Sequence, residues 1–280
     1  ETSTTGKITK IEIKAPDESI TLTREDDAWT VGTRPYPASQ RMVNSVLEAI
    51  SGLQVSALAS ESKNYARYSL DDGSAIRVEA WEGEDLARSL SVGKSASTQS
   101  NTFITLDDRP QIYLSEQNLR MTFDKSAEMF RDKSVLSFNM EAVQSVSIDK
   151  GPTSLELKKA SEGKESPHQA SWTDSKGQEV DANQVADLLR PLHSLKCQNY
   201  IEKKKKDEFQ DPELVITVQA ENAHMLSLFP PTSDKEDASS PAISSDAPYP
   251  FEISKFNSKD IASAVTTLLG IEPPEQDSEK

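Results

Sequence analysis

The side chains able to do chemistry in this chain are few, and their spacing keeps them apart. Adjacent carboxylates occur at Asp26-Asp27, Asp71-Asp72, Glu84-Asp85 and Asp107-Asp108. Two carboxyl groups held across a cleft, with their pKa values pushed apart, can act as general acid and base. Neighbours in sequence do not meet that condition, and among 46 acidic residues such doublets arise at turns by chance. Asp71-Asp72-Gly73 lacks the alternating ligands and the distal Glu of an EF-hand loop. His168, His193 and His224 are not at ligand spacing from one another, and His193 falls near the C-terminus of an expected helix, where positive charge is favoured. Cys197 is the one cysteine, which excludes an intramolecular disulfide framework and a cysteine zinc site. Gly93-Lys94-Ser95 ends like a phosphate-binding loop, but Arg88 stands where that loop needs its first glycine. A strand and turn is the better reading. Lys203 to Lys206 form a basic run flanked by Glu202 and by Asp207-Glu208, a local balance expected of a solvated loop. Trp29 and Trp172 read as core anchors, since rings of that area are best buried between helix and sheet. These residues supply no catalytic, cofactor-binding or metal-ligating set.

The elements that would position such groups are bounded by size and charge. At 280 residues the chain is long enough for about two domains, each with its own core. With 31 basic against 46 acidic residues the net charge is −15, which repels backbone phosphates and argues against nucleic acid as a partner. Apolar runs are only a few residues long, far short of the ~20 needed to cross a bilayer. The opening Glu1 to Gly6 is small and polar and reads as a tether or as an arbitrary boundary, which leaves open a signal peptide or anchor upstream.

One pattern is written twice. Ile8, Ile11, Ile13, Ile20 and Leu22 are matched by Val143, Val146, Ile148, Leu155 and Leu157 at a single offset. Period-two alternation makes each set a hairpin, turned at Pro16-Asp17 and at Gly151-Pro152. Trp29 and Trp172 follow. Then come two helices: one over Ser39 to Leu53 carrying Val43, Val46, Leu47, Ile50 and Leu53, and one behind Asp181 carrying Val185, Leu188, Leu189, Leu192 and Leu195, with Gln184 completing a capping-box pattern. Cys197 aligns with Val55, both read as small buried apolar residues. Ile76 to Ala80 aligns with Ile216 to Ala220, Leu90 to Val92 with Leu226 to Leu228, and Thr102 to Leu106 with Phe251 to Ser254. Gln111 to Leu114 adds a strand in the first copy. Helical spacing closes each copy, over Leu119 to Phe130 and over Ile261 to Leu269, the latter capped by Asn257 or Ser258 and ended by Gly270. The expected fold class is α+β: two tandem repeats of a curved antiparallel sheet packed against helices, over residues 7–140 and 141–270. Strand runs without crossover helices argue against a parallel, doubly wound sheet. Pro230 to Pro250, rich in Pro, Ser, Asp and Ala, reads as a mobile insertion, and 271–280 as a disordered acidic tail.

Several of these stretches together resemble an uncharacterised bacterial family, domain of unknown function 4340. The resemblance rests on the strand Ile8 to Ile13, on Ala28-Trp29-Thr30-Val31 leading through Pro35 to the helix, and on Tyr68-Ser69-Leu70-Asp71. It also includes Arg131-Asp132-Lys133-Ser134-Val135-Leu136-Ser137-Phe138. The family more usually has Gly in place of Ser69. The resemblance implies a single-pass, membrane-anchored envelope protein whose soluble part faces outward, some members being similar to auxiliary components of ABC-type transporters of the gliding-motility kind. It brings no catalytic residues.

The functional expectation is therefore a non-enzymatic, extracytoplasmic protein-interaction module without cofactor or metal, anchored to the inner membrane upstream of Glu1 and partnered by transporter components. The alternative is a protein that binds a small ligand or glycan in a groove between the repeats.

Overall fold

A computed structural model of the chain describes residues 7–97, 99–106, 109–160, 166–231, 233 and 238–271. The expected tether at 1–6, the Asp107-Asp108 pair, residues 161–165 and the acidic tail beyond Ile271 lie outside them. Two compact units divide between Asp132 and Lys133. The division falls there because the strand that follows, Ser134–Ser137, pairs with Ser194–Lys196 in the second unit.

In the first unit, β1 (Lys10–Lys14), β2 (Ser19–Glu25), β3 (Ala28–Val31) and β4 (Tyr36–Pro37) run as an antiparallel meander to one sheet edge. The helix α1 (Gln40–Ser51) carries the chain to the opposite edge, where β5 (Val55–Ser60) lies. The chain returns over a 3₁₀ turn at Tyr65–Tyr68 to the centre, with β6 (Ile76–Glu82) beside β1, then β7 (Asp85–Ser95), β8 (Thr102–Leu106) and β9 (Arg109–Ser115). The strand order is β4-β3-β2-β1-β6-β7-β8-β9-β5. Alternate residues line the core face: Ile11, Ile13, Ile20, Leu22, Ile76, Val78, Leu90, Val92, Ile104 and Ile112 are buried, as period two requires. The stripe Val43, Val46, Leu47 and Ile50 of α1 is buried with them. Two short helices, α2 (Leu119–Phe123) and α3 (Ala127–Phe130), close the unit.

The second unit opens with β10 (Ser134–Ser137), followed by β11 (Ser145–Lys150), β12 (Thr153–Lys159), β13 (Trp172–Asp174), β14 (Glu179–Val180) and α4 (Ala182–Leu192). After it come β15 (Ser194–Lys196), β16 (Asn199–Tyr200), β17 (Leu214–Gln219), β18 (Ala223–Leu228), β19 (Ser240–Ser244), β20 (Phe251–Ile253) and α5 (Lys255–Leu269). Its large sheet runs β14-β13-β12-β11-β17-β18-β19-β20-β16, the same order as the first, place for place. The protein is thus α+β, with large antiparallel sheets and five α-helices among the described residues.

Four expectations are corrected. Pro230 to Pro250 is not one mobile insertion: β19 lies within it, with Ser240, Pro241, Ala242 and Ser244 buried. Its Ser- and Pro-rich composition hid a strand that occupies the place of β8, so Thr102 to Leu106 answers to Ser240 to Ser244 and not to Phe251 to Ser254. The alignment of Ile76 to Ala80 is two residues out. Ile13 faces Val78, whereas Ile148 faces Ile216, so Val78, not Ile76, shares the place of Ile216. A slip of two keeps every side chain on its own face, so hydrophobic pattern alone could not detect it. Leu119 to Phe130 is two helices, interrupted where Asp124 turns its carboxylate to Arg120 at 3.0 Å and Ser126 takes an extended backbone. Finally, α5 begins behind Ser254, whose hydroxyl accepts from the Asn257 N–H at 3.2 Å. Three candidate caps crowd that stretch, and the exit from β20 selects the first.

Candidate functional site

The outer face of the first sheet carries a polar row. Arg77 faces Ser91 across β6 and β7, and Ser91 faces Thr105 across β7 and β8. The buried residues Ile76, Val78, Val92 and Ile104 beside them point the other way, to the core. Over this row lies the connection from β5 to β6. Tyr68 meets Phe103 edge-on with ring centroids 4.8 Å apart. A Cβ at Gly93 would overlap the carbonyl oxygen of Tyr68 and come within 2.9 Å of Leu70 Cγ. Glycine at 93 therefore serves backbone approach, not phosphate binding, and Gly93-Lys94-Ser95 belongs to β7.

Between connection and sheet the chain leaves an open basin of about 480 Å³, with Arg77, Ser91 and Thr105 as floor, Tyr65, Leu70, Asp71 and Asp72 as wall, and Arg109 and Pro110 as rim. The Tyr65 hydroxyl donates to the Pro110 carbonyl at 3.0 Å, tying wall to rim. Arg77 Nη2 pairs with Asp72 at 2.6 Å, an exposed pair worth little to stability but one that holds donors and acceptors side by side. Asp71 Oδ1 accepts from the Gly73 N–H and the Ser74 hydroxyl, both at 3.2 Å. Ser69, at the head of the wall, has φ +55°, the left-handed conformation for which glycine is the residue of least cost.

The same places in the second sheet hold different chemistry. Val215 stands where Arg77 does, facing Ser227, which faces Ile243. Ser227 is buried. Phe229, one residue beyond Leu228 and in the place of Gly93, packs its ring 5.1 Å from Phe209 of the overlying connection. Apolar contact fills the region that stays open and polar in the first unit.

The residues singled out from sequence are dispersed. Trp29 and Trp172 are buried, and Trp172 Nε1 donates to Pro167 O at 3.1 Å. Cys197 is buried, but its aligned partner Val55 is 41% exposed on β5. His168 lies against Asn183 and Arg190, and His193 Nδ1 is 2.7 Å from Arg190 O. Among the described residues no group of three or more His, Cys, Asp or Glu can hold a metal ion, and no helix is long and apolar enough to cross a membrane.

One cluster departs from expectation. Lys203, Lys204 and Lys205 are exposed, but Lys206, the last of the basic run, is half-buried: its ammonium donates to Ser244 O, and burial pushes its pKa down. Nearby, His224 Nδ1 lies 2.9 and 3.1 Å from the two Asp246 oxygens. Asp246 also accepts from the Ser245 hydroxyl at 2.6 Å and the Ser137 N–H at 3.0 Å. Burial raises the Asp246 pKa, but these three donors outweigh it and hold the carboxyl below the ordinary range. The cluster ties β10 to β18 and to the loop after β19.

Two further surfaces stand out. β5 is a sheet edge, paired among the described residues only to β9, and it is exposed over Val55 to Leu58, with Leu58 half open to solvent at 50%. A groove of about 550 Å³ runs between α4 and α5, lined by Asp187, Arg190 and Asp260 and flanked by Phe256, 73% exposed.

A family model described as a domain of unknown function (DUF4340) matches residues 29–213. No curated protein and no solved structure matches the chain.

Proposed function

The chain belongs to the DUF4340 family, and from that premise we propose that it is a non-enzymatic, extracytoplasmic protein-interaction module. In this reading it is two tandem copies of one α+β unit, held at the inner membrane by a segment upstream of Glu1 and auxiliary to an ABC-type transporter or gliding-motility system. The duplication is supported by the identical strand order of the two sheets and by the single offset that relates their first hairpins. Envelope location and transporter association rest on the family resemblance.

The observation that carries the interaction reading is β5. Edge strands are normally guarded by charge, proline, a covering element or bulges. β5 reads Val-Ser-Ala-Leu-Ala-Ser, without charge or proline, and among the described residues its outward side has no paired strand. Two register irregularities against β9 guard it in part. The partner that fits is an extended, uncharged segment of another protein, added as a further strand with backbone hydrogen bonds and with pockets over Val55 and Leu58.

A photoreactive residue at position 58, in the full-length protein in its native membranes, tests this. A discrete protein adduct is expected at 58, abolished by Val55→Asp in the same chain and absent when the probe sits at the exposed Glu156 of β12. No adduct at 58, or the same adducts from both positions, overturns the reading.

A further inference from the structure

We propose that the basin on the outer face of the first unit is a binding site for a neutral saccharide. The fold does not require a polar floor there. In the second sheet the same three places carry Val215, Ser227 and Ile243, and the strand pairing around them is regular. The strand order is thus compatible with an apolar Val215 and Ile243 under a packed cover and with a polar Arg77 and Thr105 beside an open basin, so the polar lining is particular to the first unit.

The lining selects the ligand class. Two guanidinium groups, Arg77 and Arg109, are matched by two carboxylates, Asp71 and Asp72, so the basin favours neither sign of charge. An anion would have to part Asp72 from Arg77 and then face Asp71. A neutral ligand rich in hydroxyls needs no such exchange. Each hydroxyl both donates and accepts, so neighbouring hydroxyls of a sugar ring can bridge the Arg77–Asp72 pair while others meet the Ser91 and Thr105 hydroxyls. Planar guanidinium and carboxylate groups suit such paired contacts. Tyr65 and Pro110 supply apolar surface for the C–H face of the ring. The volume falls within the ~300–1,000 Å³ of small-molecule sites, and the bond from Tyr65 to Pro110 ties wall to rim.

The experiment follows amide resonances of the full chain by ¹H–¹⁵N NMR during titration with glucose, galactose, mannose and N-acetylglucosamine, with sodium phosphate as a parallel arm. Saturable shifts confined to the amides around Tyr65, Arg77, Ser91 and Thr105 are expected with at least one sugar. The double variant Arg77→Val, Thr105→Ile carries the residues of the second sheet and should fold with an unchanged melting temperature. It is expected to bind that sugar at least about tenfold more weakly, since a hydrogen-bonded charged group and a hydroxyl are both removed. Val55→Asp should leave the titration unchanged, because the basin does not depend on the β5 edge. The proposal is overturned if no sugar moves these amides, if the double variant binds as the parent does, or if phosphate moves them and sugars do not.

Discussion

Two sheets with one strand order bind their overlying connections in opposite ways. In the first unit the connection from β5 to β6 lies directly on the backbone of β7, which Gly93 permits, and the polar floor beside the contact stays open. In the second the corresponding connection is held through a pair of phenyl rings, Phe209 and Phe229, over an apolar row. A shared topology therefore sets where a cover can lie and leaves open whether the space beneath is filled or available. The edges differ likewise. β5 is six residues long and exposed, whereas β16, in its place, is two residues long, followed within a few residues by the lysine run.

Gly93→Ala breaks the comparison most directly. Its Cβ would meet backbone, which cannot swing aside as a side chain can, so a loss of about 2–3 kcal/mol is expected in urea unfolding followed by circular dichroism. The connection should lift, and the basin should open with it. A loss under ~0.5 kcal/mol would mean that the connection does not rest on β7.

A smaller effect is expected where the second unit has its hydrogen-bonded clasp, Asp246 against His224, Ser245 and Ser137. In the register of the sheets His224 takes the place of Arg88, since Arg88 faces Ala80 and His224 faces Val218. Arg88 donates to the Ile50 carbonyl, whereas His224 meets a carboxylate. The folded pKa of Asp246 is depressed, so its contribution is complete above the ordinary carboxylate range and disappears as pH falls through the folded value. Asp246→Asn should cost about 1–2 kcal/mol at neutral pH. It should also flatten the acid limb of stability against pH, measured by thermal unfolding between neutrality and pH 3. An unchanged acid limb would assign the acid sensitivity elsewhere.

The smallest change sharpens the picture at the wall of the basin. Ser69 holds a left-handed backbone conformation, so Ser69→Gly is expected to stabilise the chain by up to about 1 kcal/mol, read as a rise in melting temperature. A fall would place the serine side chain in a role of its own.

Much of the scaffold was legible because it depends on local periodicity. The hairpins at Ile11 to Leu22 and at Val146 to Leu157, both buried tryptophans, the apolar stripes of α1 and α4, the Asp181 cap and the Gly270 stop all follow from spacing and end chemistry. β19 was not legible, because a strand of Ser, Pro and Ala carries no apolar alternation and is identified only by its neighbours. The basin was hidden for a related reason. With β6 and β17 aligned two residues out, Arg77 falls opposite Thr217, polar against polar, and nothing looks unusual. In the true register it falls opposite Val215, and the contrast emerges.

By itself the sequence determined the α+β class, the faces of the long strands and helices, and the lack of any familiar motif for catalysis or metal binding. These rest on interactions between residues a few positions apart. Only the tertiary structure decided that Tyr65, Arg77, Ser91, Thr105 and Pro110 line one basin, that β5 is an edge strand exposed over Val55 to Leu58, and that Lys206 turns inward beside Asp246. Strand register and the path of a connection depend on hydrogen bonds between residues far apart in the chain, and period-two patterning is blind to a shift of two.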